Sequence, residues 1–269
     1  MRQFTISQSI VVQLARHGVD RIFLVPGGGN MFLVDAAGSQ ENIDVVATHH
    51  EQAAVIAAEY YARVSGKLGV AIVTTGPGSS NAVTGIAGAW FDSIPILILA
   101  GQVKTADYNS DGRLRQRGPQ EIDLISMVQK ITKYQDICLN PQTALSQLEV
   151  AISLATSGRP GPSVLELPLD IQSTLLPSEE TVFTPNKKLK EKWDMATYSH
   201  AIGKILNKLA LAKKPLLVIG GGIKAANVVD QTRELVSSLR VPCSLTWRTI
   251  DFLPFNHELN AGRFGSVAK

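Results

Sequence analysis

Thr48-His49-His50-Glu51-Gln52-Ala53-Ala54 sets an acid at the junction of two elements of different period. Residues 44–47 read as a short strand, and residues 52–64 as an alanine-rich helix. Further short apolar runs, near 21–25, 69–74, 94–100 and 163–167, alternate with helical patterns in the same way. Continuous apolar strands separated by helices predict a parallel sheet covered on both faces, so the fold class is α/β, doubly wound. The first helix, after Thr5, carries Ile10, Val11, Leu14 and Ala15 on one face and stops near Gly18. Ala53, Ala54, Ala57, Ala58 and Ala62 make the helix behind Glu51 slim, which suits a close helix contact in a subunit interface or in a tight core. Glu59 and Arg63, four apart, read as an intrahelical ion pair.

Other motifs surround this junction. Residues 18–30 run from a strand into Pro26-Gly27-Gly28-Gly29-Asn30, and the strand at 69–74 runs into Thr75-Gly76-Pro77-Gly78-Ser79-Ser80-Asn81. Glycines let backbone approach a ligand closely, and Pro77 fixes the turn. Asp92-Ser93-Ile94-Pro95 leads into Ala100-Gly101-Gln102-Val103, and then come Gly118-Pro119-Gln120-Glu121 and Ser157-Gly158-Arg159-Pro160-Gly161-Pro162. With His50-Glu51-Gln52, these strings resemble thiamine-diphosphate (ThDP) enzymes of the acetolactate synthase-like family, in order and approximate spacing, over almost all of residues 1–170.

The resemblance implies a pyrimidine-binding domain in which Glu51 hydrogen-bonds a ring nitrogen of the aminopyrimidine and so activates the cofactor. An apolar pocket formed by Val45, Val46, Ala53, Ala54, Val55 and Ile56 would favour the protonated carboxyl. The competing account of Glu51 is a helix-start acid that complements the helix dipole. By the same resemblance Pro26, Gly27, Pro77, Asn81 and Gln102 shape the pyrimidine side, with His50 in support. Gln120 is the second catalytic candidate, facing the reacting centre, with a plain loop glutamine as its alternative. His49 stands where arginine is common, Pro119 where phenylalanine is usual, and Leu169 replaces the lysine of Pro-Lys-Asp. The last two departures lie near the expected substrate entrance and put acetolactate as the product in question.

Arg159 matches an arginine that contacts a structural flavin in acetolactate synthases, and Gly220-Gly221-Gly222 would admit a dinucleotide. Against FAD, Asn260-Ala261-Gly262-Arg263-Phe264-Gly265 lacks the methionine and histidine of the matching segment, and the turn at Arg159 reads equally well as structural.

The 269 residues are 45% hydrophobic and 18% charged with net charge +3, which fits a globular protein and gives no basic run long enough for nucleic acid. Basic residues cluster at Arg113-Leu114-Arg115-Gln116-Arg117 and within 187–192. Cys138 and Cys243 have no metal-ligand spacing and read as buried thiols of a reducing compartment. Neither a signal peptide nor a membrane-length apolar run is legible, so the expected location is cytoplasmic.

The domains expected are a pyrimidine-binding domain at 1–170, a linker at 171–195 and an incomplete middle domain at 196–269. In the last, helix 197–212, strand 215–219, the turn 220–222, helix 227–239 and strand 242–246 follow one another. The family's Gly-Asp-Gly diphosphate motif is not in this sequence. The resemblance therefore assigns the diphosphate and Mg2+ to a further domain or a partner subunit, and no metal ligand to this chain. The expectation is the N-terminal portion of a ThDP-dependent carboligase or 2-oxoacid decarboxylase, self-associating as a dimer or tetramer and inactive alone. The alternative is a stand-alone pyrimidine-domain subunit or non-catalytic binding module that needs a separate diphosphate-binding chain.

Overall fold

A computed structural model describes residues 3–109, 112–176 and 194–263, and the chain divides into two compact units between residues 189 and 190. The first unit opens with β1 (Phe4–Thr5), α1 (Ile6–Arg16), β2 (Arg21–Leu24), α2 (Met31–Gly38) and β3 (Asp44–Ala47). It continues with α3 (Glu51–Ser65), β4 (Gly69–Val73), α4 (Pro77–Asp92) and β5 (Ile96–Gln102). α5 (Leu124–Val128), β6 (Tyr134–Ile137), α6 (Ala144–Thr156), β7 (Pro162–Pro168), α7 (Leu169–Ser173) and β8 (Leu175–Leu176) complete it. Six strands form one parallel sheet in the order β3-β2-β4-β5-β7-β6.

Strand alternation assigns the two faces of that sheet. Leu97, Leu99, Leu165 and Leu167 point to the side of α1, α2 and α6, where Ile10, Leu14, Leu33 and Leu148 bury them. Ile96, Ile98, Ala100 and Val164 point the other way, toward α3, α4 and α5. Both faces are therefore covered, as the unbroken apolar runs require. α1 starts in a capping box: Thr5 Oγ1 accepts from the Gln8 amide at 3.2 Å, and Gln8 Oε1 accepts from the Thr5 amide at 2.9 Å. It ends ahead of Gly18, whose φ of +80° a side chain would resist.

The slim helix has an internal use. A Cβ on Gly69 would come within 2.2 Å of the Ala58 carbonyl oxygen, and one on Gly85 within 2.6 Å of Val55. α3 thus lies against both β4 and α4, and the Ala54, Ala58 and Ala62 face is buried inside this unit. Glu59, also buried, pairs with Arg63 as the spacing implies, and Arg63 reaches Asp92 of α4 as well.

Several expectations are corrected. β3 is an exposed edge strand, with Val45 and Val46 each 37% exposed and Ile56 no better covered, so these residues do not wall in Glu51. β6, with its polar Tyr-Gln-Asp-Ile sequence, was not legible as a strand because it is the other, half-buried edge. The glycine turn after β4 is shorter than read, since Pro77 already occupies the first turn of α4. Residues 171–176, assigned to the linker, pack on the first unit: Ile171 and Leu176 are buried, and β8 pairs antiparallel with β1. The rest of the expected linker, 177–193, lies outside the described residues.

The second unit comprises α8 (Met195–Leu211), β9 (Leu217–Ile219), α9 (Gly222–Ala225), α10 (Val229–Leu239), β10 (Cys243–Leu245) and β11 (Asn260–Arg263). Its three strands are parallel in the order β11-β10-β9, packed around Ile219, Val236, Leu245 and Phe252. β11 was not expected, and part of the glycine turn belongs to α9. Gly221 is accounted for by Arg248, whose side chain comes within 3.0 Å of a Cβ placed there. Both cysteines are buried free thiols, and burial pushes Cys138 up to about 11. No described helix is long and apolar enough to cross a membrane.

Replacing Gly69 by alanine drives a methyl group into the Ala58 carbonyl, so α3 must lift from β4. The expected cost is about 1–3 kcal/mol, the usual range for overpacking, read as a lower urea midpoint for unfolding.

Candidate cofactor site

In an open parallel sheet, ligands settle at the carboxyl ends of the strands. Gly27 follows β2, Glu51 follows β3, Thr75 and Gly76 follow β4, Gln102 ends β5, and Leu169 follows β7. The fold thus brings residues far apart in sequence to one edge.

Glu51 is the first residue of α3 and only 9% exposed. His50, extended at φ −157° and ψ 139°, caps the helix by accepting the Gln52 amide on Nδ1 at 3.1 Å. It is itself exposed, as is His49, so its observed task is to start the helix that carries Glu51. Asn81 Nδ2, on α4, donates to Glu51 Oε2 at 3.0 Å. The other oxygen faces bare backbone, since a Cβ on Gly78 would lie 3.0 Å from Oε1. Asn81 and Glu51 are thus a bonded pair, and Pro77 starts the helix that supplies the asparagine.

The turn at Pro26 and Gly27 is stitched by Asn30, a buried residue to which the sequence reading gave no role. The Gly27 amide donates to Asn30 Oδ1 at 2.8 Å, and Asn30 Nδ2 donates to the Val25 carbonyl at 3.0 Å. The Gly29 amide reaches Thr74 Oγ1 at 3.1 Å, tying this turn to the end of β4. Gly76, at φ +64°, packs against the backbone of Gln120, whose carbonyl oxygen would be 2.4 Å from a Cβ there. Gln120 itself sits at φ +59°, a conformation that disfavours side-chain-bearing residues.

Gln102 is fully buried and uses both ends of its amide. Oε1 accepts from Thr75 Oγ1 and from the Val103 amide, each at 2.9 Å. Nε2 donates to the Ile122 carbonyl at 3.1 Å and to Glu166 Oε1 at 3.2 Å. Glu121 organises the neighbouring loop by accepting from the backbone amides of Asn109 (2.6 Å), Arg117 (2.7 Å) and Gly118 (3.1 Å). Burial would raise this carboxyl, but the three donors and the Arg117 charge outweigh it and hold it below the usual range.

Between these segments opens a cleft of about 310 Å³, lined by Gly28, Gly29, Thr75, Gln102, Val103, Lys104, Asp107, Pro119, Gln120 and Leu169. Glu51 is not among its lining residues; Thr75 lines the cleft and Gly78 abuts Glu51, so the glycine loop borders both. Arg159 is elsewhere. It precedes the start of β7, at the opposite edge of the sheet, where its Nε donates to Ser93 Oγ at 2.6 Å beside Trp90, Phe91, Lys133 and Pro160. Among the described residues no cluster of three or more His, Cys, Asp or Glu could hold a metal ion.

Residues 4–127 match the family described as "Thiamine pyrophosphate enzyme, N-terminal TPP binding domain", and residues 202–269 match "Thiamine pyrophosphate enzyme, central domain". The chain belongs to the thiamine pyrophosphate enzyme family. It is 37% identical over 259 residues to the acetolactate synthase large subunit of Lactococcus lactis, covering 96% of this chain and 44% of that protein. It is 34% identical over 268 residues to the acetolactate synthase isozyme 3 large subunit of Escherichia coli, covering 98% and 45%. Against the chloroplastic acetolactate synthase of Arabidopsis thaliana it is 34% identical over 257 residues, covering 95% and 37%. The chain thus spans less than half the length of these curated relatives.

Because the folded-state pKa of Glu121 is depressed, its contribution to stability is present above the ordinary carboxylate value and is lost as pH falls through the lower folded value. Amide exchange in residues 112–118, corrected for intrinsic rate, is expected to accelerate as pH drops from 5 to 3. In Glu121→Gln the same amides should exchange faster at pH 6 and show little further change on acidification.

Proposed function

We infer that this chain provides the pyrimidine-side half of a ThDP-dependent, acetolactate synthase-like enzyme that acts on 2-oxoacids as a carboligase or decarboxylase. The observation that carries this reading is the Glu51 carboxyl: one oxygen is held by Asn81, and the other faces the side-chain-free surface of Gly78. A Cβ on Gly78 would meet Thr74 Cγ2 at 2.5 Å and Glu51 Oε1 at 3.0 Å, so only glycine there lets α4 come close enough to bring Asn81 to the acid. When bound, the cofactor supplies a nucleophilic thiazolium carbon for attack on a 2-oxoacid carbonyl.

Glu51 has the task of holding and exchanging a proton with a ring nitrogen. Asn81 fixes its rotamer. Gln120, exposed at the cleft, offers a neutral amide suited to an oxygen that gains charge without competing for its proton. Val103, Pro119 and Leu169 give the cleft an apolar wall, which favours an apolar acyl substituent over a second carboxylate. The diphosphate and Mg2+ are assigned to residues outside those described, in a longer protein or a partner subunit, and relatives of more than twice this length support the former. FAD is not part of this reading, since Arg159 stands at the far edge of the sheet.

Self-association is assigned to the outer face of α3. Its alanine face is already occupied by α4 and β4, whereas Ile56, Tyr60 and Val64, spaced i, i+4, i+8, are 37%, 58% and 88% exposed. In the complete protein, Ile56→Asp with Val64→Asp should shift sedimentation toward the monomer; an unchanged assembly would move the pairing surface elsewhere.

Glu51→Gln keeps the shape of the site and removes the acid. Turnover of 2-oxoacids by the complete protein, followed as released carbon dioxide, is expected to fall about a hundredfold to ten-thousandfold, with the unfolding midpoint nearly unchanged. Near-normal turnover would sink the assignment.

A further inference from the structure

Beneath the cleft lies a carboxyl that the reading above does not use. Glu166, on β7, is completely buried. Its side chain shares the sheet face of Val164 and Ala100, so it stands directly under the ends of β5 and β7. Oε1 accepts from Gln102 Nε2 at 3.2 Å, while Oε2 is buried with no hydrogen-bond partner in the protein. The charges it feels are Asp123 and Glu121, both acidic, and it in turn acts on Tyr108. Burial, with those two acids adding to it and the Gln102 bond opposing it, pushes the carboxyl up to about 8.

The anion would leave one oxygen of a buried charge unpaired, at far greater cost than a neutral carboxyl. Gln102 transmits the consequence, because the same amide that meets Glu166 also holds Thr75 of the glycine loop and the Ile122 carbonyl that follows Gln120. Two walls of the cleft therefore hang on one side chain that rests on Glu166.

We propose that Glu166 is a positioning residue which, as a neutral carboxyl seated against Gln102, sets the glycine loop and the Gln120 loop in register across the cleft. Ionisation would tighten the Gln102 bond but leave Oε2 a buried, unpaired charge, and hydrating that charge opens both loops together, so the site is ordered at neutral pH and slackens in alkali. The functional consequence rests on reading the cleft as the cofactor and substrate site, but the positioning itself does not.

The linkage has a definite sign. A carboxyl whose folded-state value is raised stabilises the fold fully below its unfolded value near 4.5, loses that contribution progressively up to about 8, and loses none beyond. The test uses backbone amide exchange in residues 112–122 and at Thr75, corrected for intrinsic rate, in the unaltered chain, Glu166→Gln and Gln102→Leu between pH 6 and 9.

The unaltered chain is expected to lose protection by up to about tenfold per pH unit as pH rises from 6 toward 8 and little more beyond, whereas Glu166→Gln, which cannot ionise, shows no such loss. Its unfolding midpoint should also rise relative to the unaltered chain as pH climbs from 5 to 8. Gln102→Leu should exchange rapidly in both segments at every pH, with Ala54 and Val55 in α3 still protected. The proposal is overturned if Glu166→Gln follows the same pH profile as the unaltered chain, or if Gln102→Leu leaves the two segments protected. No cofactor enters this measurement, so its failure is distinct from a failure of Glu51→Gln in turnover.

Discussion

Close approach of backbone to backbone, at positions that have no side chain, is the constraint on which the first unit depends. β4 meets α3 at Gly69, α3 meets α4 at Gly85, and the carbonyl of Gly29 lies 2.1 Å from where a Cβ of Gly101 would be. These contacts set how near α3 and α4 come to each other, and that distance brings Asn81 to Glu51. Gly78 then lets the backbone of α4 lie against the other oxygen of the acid. A carboxyl at a helix start is common; this one is set apart by being buried against the first turns of a second helix.

Two side chains that tie segments together at the carboxyl ends of the strands cannot titrate. Gln102 and Gln172 are both fully buried, and each bridges separate segments: Gln172 Nε2 donates to the carbonyls of Gly29 and Leu167, each at 2.7 Å. Asp170 adds a bond from the Thr105 amide at 2.9 Å, drawing α7 onto the chain leaving β5. Amides suit this work because they donate and accept at once and carry no charge to desolvate. The same segment explains why 171–176 belongs with the sheet: Gln172 binds the Gly29 carbonyl, and the Thr174 and Gln172 carbonyls accept from the Ile6 amide and Ser7 Oγ.

The second unit has a different balance. Its core is a short parallel sheet with α10, whereas no residue of α8 is buried, although Ile202, Ile205 and Leu206 are apolar. An amphipathic helix of 17 residues gains little from propensity alone and draws its stability from covering an apolar face. Central-domain membership and relatives of more than twice this length are consistent with a unit whose full core draws on more chain than the residues described here.

Periodicity and punctuation were enough to read the parallel α/β class, the start and end of α1 and the Glu59–Arg63 pair, whereas the grouping of Gly27, Glu51, Asn81 and Gln102 was read only from the family resemblance. The features read from pattern follow from local chemistry: apolar runs mark buried strands, and Thr5 and Gly18 mark the ends of α1. The polar edge strand β6 and the two-residue pairing of β1 with β8 were not legible, because neither carries a periodic signal and both exist only through their partners. Nor did sequence reveal that Val45 and Val46 are exposed, that Arg159 stands at the opposite edge from Glu51, or that Glu166 rests against Gln102. Each of these depends on which strand lies at an edge and which strand ends meet, and sheet order is decided by contacts between residues tens of positions apart, where a side chain's neighbours come from packing and not from its place in the chain.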